Sequence, residues 1–249
     1  MLYSLRQWLM RRLRAYPAIE QPLRQIYRYL RHKPQTLEGL IHGRLSGMAQ
    51  VFFVQVGSND GTHGDPISHF IRHEPRWRGI FVEPVPDIFK RLKAHYGNAP
   101  RFAYENVLVG DSSAPRKFYY VSEHAKQALG DAAPYWYDQL GSFDRQHIVK
   151  HLDGLLEPYI IEVELPCLPL MALLERNAVH QLDLLHIDTE GFDYEVLKQL
   201  DFSRFRPAVV LYEHKHLSAA TRAEAETLLL AQGYQLRRRV DDTLALQPR

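Results

Sequence analysis

The chain has 249 residues, enough to bury one good-sized α/β core with a segment added at one end. Hydrophobic residues make up 45% and charged residues 24%, which excludes a disordered chain, and no apolar run is long enough to span a bilayer. Formal charge is +2 but uneven: residues 1–33 hold eight Arg and Lys against Glu20 alone, so they carry +7 and leave −5 for the rest, which argues against a nucleic-acid surface on the core.

In the basic stretch, Leu2, Leu5, Trp8, Leu9, Leu13 and Tyr16 recur at helical spacing, and Leu23, Ile26, Tyr27 and Leu30 follow Pro22. The spacing predicts two short amphipathic helices within a basic N-terminal segment, residues 1–48. Such helices can pack on their own domain or on a second copy of the chain, with arginines facing water. They can also lie on an anionic membrane surface or an acidic partner, which leaves peripheral membrane contact through residues 1–33 open. An Arg-rich, acid-poor segment also fits an organellar targeting peptide. Cys167 has no second cysteine to pair with and no secretory pattern opens the chain, so a reducing, cytoplasmic location is expected.

The core is read as residues 49–249. Val51 to Gly61, VFFVQVGSNDG, is an apolar run closed by small and turn-forming residues, the mark of a buried parallel strand running into a tight loop. Asp65 and Pro66 predict a helix N-terminus, with Ile67, Phe70 and Ile71 facing inward. Strand, glycine loop and helix in that order hold nucleotide-like ligands at the carboxyl edge of doubly wound sheets. The spacing is G-x-x-x-G rather than G-x-G-x-x-G, which speaks against an ordinary dinucleotide loop and so against a nucleotide-dependent oxidoreductase. A second strand, Gly79 to Val82, ends at Glu83, twenty-two residues after Gly61, where a carboxylate can accept hydrogen bonds from both hydroxyls of a ribose.

A helix from Pro86 to Tyr96 stopped by Gly97 follows, then a strand within Arg101 to Val109 and another at Lys117 to Val121. Residues 112–158 are irregular and read as an insertion that covers the site. Within it, Tyr119, Tyr120, Tyr135, Trp136 and Tyr137 can stack on a sugar or fill a core. A helix is predicted to begin at Ser142, placing His147 and His151 four residues apart on one face. No H-E-x-x-H accompanies that pair, and solvent exposure, metal binding or a place in a substrate pocket all remain open for it.

Order returns with a strand at Ile160 to Leu165 and a helix from Pro169 to Asn177. Leu184 to Ile187 is an apolar strand expected beside Val51 to Val56, with Asp188 at its carboxyl end, where ligands of open α/β sheets bind. Asp193 is expected to cap the next helix and Glu190 to be solvated. Ala208 to Tyr212 forms a fifth strand ending in Glu213, His214, Lys215 and His216. Thr221 and Glu224 read as the capping box of a final helix stopped by Gly233, and Tyr234 to Val240 with Thr243 to Gln247 as a closing hairpin. The fold class is therefore α/β, a doubly wound sheet ending in an antiparallel hairpin, with an N-terminal helical extension.

Four segments, VQVGSNDG, FVEP, ENVLVGD and LLHIDTEGFDYEVLKQLD, resemble the FkbM family of S-adenosylmethionine-dependent methyltransferases over Val51 to Tyr212. The resemblance implies a class I methyltransferase (Rossmann-like) fold and methyl transfer to oxygen on a small-molecule or glycan acceptor: a sugar, glycolipid, polysaccharide or secondary metabolite. It places Gly57, Ser58, Asn59, Asp60 and Gly61 around the methionine end of the cofactor, Glu83 on the ribose, Asn106 and Val107 near the adenine, and Asp188 beside the sulfonium.

Transfer to a hydroxyl requires that its proton be removed. A histidine base near the methyl group, His214, is one solution. The other is a divalent cation, Mg²⁺ or Mn²⁺, held by Asp188, Glu213 and His214, the strand-end positions that catechol-type O-methyltransferases use. A non-catalytic module of the same fold, acting through its basic N-terminal helices, is the alternative to an enzyme.

Overall fold

The computed structural model describes residues 36–62 and 64–248. The two amphipathic helices read in residues 1–33 lie outside the described residues. Contacts divide the chain into residues 1–46 and 47–249. In the first unit, helix α1 (Leu37–Leu45) starts at Thr36, whose hydroxyl oxygen accepts from the Gly39 N–H at 3.0 Å. Among the described residues no helix is long and apolar enough to cross a membrane.

The second unit is built on a seven-stranded sheet. Its strands are β1 (Val51–Val56), β2 (Trp77–Val82), β3 (Phe102–Glu105), β8 (Leu184–Ile187), β9 (Val209–Glu213), β10 (Gln235–Arg238) and β11 (Asp242–Leu246), in the spatial order β10-β11-β9-β8-β1-β2-β3. All pairs are parallel except β9–β11 and β10–β11, so a hairpin strand is inserted antiparallel beside β9. That order, which reverses direction between β1 and β8, is the class I methyltransferase sheet and creates a crevice where the two halves diverge.

The strands read as apolar runs because both faces are covered. On one face Val54, Val56, Leu185 and Ile187 pack against Leu173 and Leu174 of α6 (Leu170–Arg176) and Val196 and Leu197 of α7 (Asp193–Leu197). The other face is aromatic. Phe81 stacks on Tyr96 at the end of α3 (Pro86–Tyr96), with ring centroids 4.4 Å apart, and Trp77 stacks on Phe70 of α2 (Ser68–His73) at 5.4 Å.

Register is what builds the site. Val56 is level with Val82 on one side and Ile187 on the other, and Ile187 is level with Tyr212. The residues just beyond, Gly57, Glu83, Asp188 and Glu213, therefore stand side by side at the carboxyl edge. Main-chain bonds lock them there: Gly57 N–H donates to Val82 O (3.0 Å), Asp188 N–H to Val56 O (2.9 Å) and Glu83 N–H to Glu105 O (3.1 Å).

The insertion has its own architecture. Strand β5 (Arg116–Val121) pairs antiparallel with β6 (Ile160–Leu165), separate from the main sheet, and short β4 (Leu108–Val109) pairs with β7 (Cys167–Leu168). Between β5 and β6 lie α4 (His124–Leu129) and α5 (Arg145–Val149), whose Ala125 and Ile148 share a cluster with Tyr137, Leu140 and Leu156. Tyr137 is buried, Tyr119 and Trp136 pack on the same cluster, and Tyr135 is exposed.

Several helix starts differ from the sequence reading, two of them because a neighbouring polar residue takes the cap. Asp65 closes a turn, its Oδ1 accepting from Ile67 N–H at 2.8 Å, and α2 begins only at Ser68. Asp144, not Ser142, caps α5. Ser218 caps the last helix, α8 (Ala219–Ala231), with its hydroxyl accepting from the Thr221 N–H.

Candidate active site at the carboxyl edge of the sheet

A cavity of about 260 Å³ opens beyond the carboxyl ends of β1, β2, β8 and β9 and is lined as well by Phe118, Gly141 and Phe143 from residues 112–158. Its floor is the loop after β1. Gly57 has φ +80°, and a Cβ built there would lie 1.7 Å from Asp188 O, so only glycine lets the two strand ends approach this closely. Gly61, at φ +73°, would drive a Cβ to 2.4 Å from the Tyr96 ring. Asn59 between them adopts φ +49°, a left-handed backbone that asparagine tolerates better than most residues.

Glu83 is aimed by the same loop. Its Oε2 accepts from Asn59 N–H and its Oε1 from Val85 N–H, both at 2.9 Å, which leaves one lone pair on each oxygen for a ligand. Burial raises its carboxyl to about 7, although the two N–H groups and Arg91 pull the other way. Asn106 stands behind this arrangement, donating through Nδ2 to the carbonyls of Glu83 and Pro84, while Val107 lines the cavity.

The far wall is acidic. Asp188, Glu190, Glu213, Asp241 and Asp242 all line it. Burial, then the neighbouring carboxylates Glu213 and Glu190, push the Asp188 carboxyl well above its usual range, and Glu213 rises for the same reasons. Carboxylates buried beside one another disfavour ionising together.

The remaining sequence-predicted residues fall in other places. Ser58 lines the cavity but spends its hydroxyl on the frame, donating to Gln55 O and accepting from Val82 N–H. Asp60 holds the loop, its Oδ1 accepting from the N–H and hydroxyl of Thr62. His214 is not among the lining residues; its Nδ1 pairs with the Thr243 hydroxyl at 2.9 Å, and burial lowers its pKa. The structure therefore brings Asp188 and Glu213 together without His214. Asp193 is fully buried in the first turn of α7 rather than at its cap, with Oδ2 accepting from the Thr189 hydroxyl and Gly191 N–H and Oδ1 from Glu213 N–H. Glu190 is not solvated: its Oε2 lies 3.1 Å from His147 Nε2 and 3.2 Å from His216 Nε2.

The profile of the FkbM methyltransferase domain matches residues 55–236, from within β1 to within β10. The chain belongs to the FkbM methyltransferase family. Its reaction is accordingly methyl transfer from S-adenosylmethionine. No curated protein matches the chain. Among solved structures it is similar to the precorrin-6y C5,15-methyltransferase of Geobacter metallireducens, at 11% identity and TM-score 0.40 over 85% of this chain and 87% of that one. It is also similar to the fibrillarin of Methanococcus jannaschii, at 10% and 0.42 over 80% and 67%. A third is Aeropyrum pernix fibrillarin with natively bound S-adenosyl-L-methionine, at 13% and 0.38 over 79% and 65%.

The FkbM domain fits that cofactor. Gly57 leaves room where any side chain would collide with Asp188 O, and Glu83 is held with free lone pairs toward the cavity. Sequence reasoning missed two residues here. Gln55 and His186, opposite each other on β1 and β8, pair through Nε2 and Nδ1 at 3.0 Å, both buried and both lining the cavity. Burial lowers His186 to about 4, so it stays neutral. The only sequence signal was a polar residue inside each otherwise apolar strand.

Proposed function

We propose that this FkbM domain transfers the methyl group to a hydroxyl oxygen of a small-molecule or glycan acceptor. When bound, S-adenosylmethionine supplies an electrophilic methyl on a positively charged sulfur. In this reading the loop from Gly57 to Asn59 faces the methionine end, Glu83 accepts from both ribose hydroxyls, and Val107 covers the adenine. Asp188 offsets the sulfonium charge in a partly dry pocket, where opposite charges attract strongly. Displacement at carbon requires alignment, and the rigid strand ends that carry these groups supply it.

The observation that carries oxygen as the target is the acidic wall. Glu190 and Glu213 offer carboxylate oxygens, which accept hydrogen bonds from a hydroxyl and can take up its proton. Incubation with labelled cofactor and a panel of sugars, glycolipids and phenols, followed by product NMR, is expected to give O-methyl ethers. Turnover of amines alone, with N-methyl products, would overturn the reading.

Cofactor affinity should depend on pH through Glu83. Its ionised form accepts from two hydroxyls, and its carboxyl titrates near 7, with Arg91 and Asp138 as the other charges that face it. Below that value a proton must leave before the ribose is held, so affinity should climb by up to about tenfold per pH unit until about pH 7 and then level off. Calorimetric titrations between about pH 6 and pH 8 test this, and Glu83→Gln should remove the part of the slope that belongs to this group.

A further inference from the structure

Three histidines and two glutamates from three separate segments meet beside the acidic wall. His147 comes from α5 and His151 from the turn after it, Glu190 from the loop after β8, Glu213 from the end of β9, and His216 from the turn that follows. One ligand atom from each of His147, His151 and His216 lies within 4.8 Å of the others, and the same holds for Glu190, Glu213 and His216. His216 belongs to both sets.

We propose that this cluster is a binding site for a divalent transition metal, with Zn²⁺ or Mn²⁺ as the fitting ions. Ligands about 2.1 Å from a tetrahedral ion lie about 3.4 Å from one another. His147 Nε2 to Glu190 Oε2 is 3.1 Å, His216 Nε2 to Glu190 Oε2 is 3.2 Å and His216 Nε2 to Glu213 Oε2 is 3.6 Å, which bracket that spacing.

A second observation is that His151 is already oriented. Its Nδ1 lies 2.6 Å from His147 O, so the proton sits on that nitrogen and Nε2 keeps its lone pair, as in metal-binding imidazoles whose other nitrogen donates to a backbone carbonyl. A third is Glu213 Oε2, buried and without a hydrogen bond, a cost that a bound cation would remove. A mixed imidazole and carboxylate set favours zinc or manganese over magnesium, which takes oxygen ligands. The site shares only Glu213 with the ligand set expected from sequence, and it ties the insertion to the core. Glu190 and Glu213 also line the cavity, so the ion would face the acceptor and lower the pKa of its hydroxyl; that role rests on the methyl-transfer reading, whereas the binding site does not.

The test uses tag-free full-length protein stripped with chelator and titrated with Zn²⁺ by calorimetry and with Co²⁺ by visible absorption. Saturable binding of one ion with intense Co²⁺ bands is expected. His216→Gln, which removes a donor common to both sets, should weaken Zn²⁺ binding by more than about 100-fold, beyond the 10–100-fold that losing an outer-shell partner costs. His151→Ala, at a half-buried position that leaves the core intact, should also weaken it. Circular dichroism shows that each variant is folded. No binding above a buffer blank by folded protein, or equal affinity in both variants, would overturn the proposal. S-adenosylmethionine is titrated into the same samples: its failure to bind while Zn²⁺ binds counts against the methyl-transfer reading and leaves the metal site standing.

Discussion

Gly57→Ala is expected to abolish S-adenosylmethionine binding and to lower the stability of the domain by about 3 kcal/mol or more. Two costs combine. The residue has φ +80°, where alanine pays about 1–2 kcal/mol, and the new methyl would stand 1.7 Å from the Asp188 carbonyl oxygen. Backbone cannot swing away as the tip of a long side chain can. The collision would prise β1 from β8 at the point where Asp188 N–H donates to Val56 O, and so would open the edge that carries Asp188 and Glu83. Thermal unfolding with and without cofactor reads both effects. A variant with wild-type melting temperature and cofactor affinity would mean that the close approach of the two strand ends is absent.

Glu83→Ala is expected to weaken cofactor binding by at least about 100-fold, since hydrogen bonds to a charged group contribute about 1.5–3 kcal/mol each and two are lost. The effect on stability is smaller because opposing terms meet. Asn59 N–H and Val85 N–H lose their acceptors, while a carboxyl whose burial raises its pKa to about 7 is removed. Glu83→Gln should fall between alanine and wild type, because an amide keeps one acceptor oxygen. Calorimetric titration gives the affinities, and near-equal values for all three proteins would place the ribose elsewhere.

The parts of this site that follow local rules were legible in the sequence. Val51–Val56 and Leu184–Ile187 are strands as read, because a strand buried on both faces must be apolar throughout. Gly57, Glu83 and Asp188 were legible for a related reason: each directly follows a strand, and the parallel register makes three strand ends level. What stayed hidden depends on contacts distant in sequence. Glu190 reads as a surface acid until His147, 43 residues away in the insertion, is seen against it.

His214 and His216 show the limit at closer range. Strand alternation sends Glu213 to the cavity and His214 back to Thr243. The turn closed by Leu217 N–H donating to His214 O then returns His216 to Glu190. Nothing in E-H-K-H announces where the strand ends. Two helix starts were displaced by a similar ambiguity, because Ser142 and Asp144, and likewise Ser218 and Thr221, all belong to the residue types that cap helices.

The central claim is that the crevice between β1, β2 and β8 holds S-adenosylmethionine. Isothermal titration of purified wild-type protein with S-adenosylmethionine and S-adenosylhomocysteine tests it most directly. Saturable binding of one molecule of each, competing for the same site, is predicted. Absence of heat with both, from protein shown to be folded by circular dichroism, would contradict it.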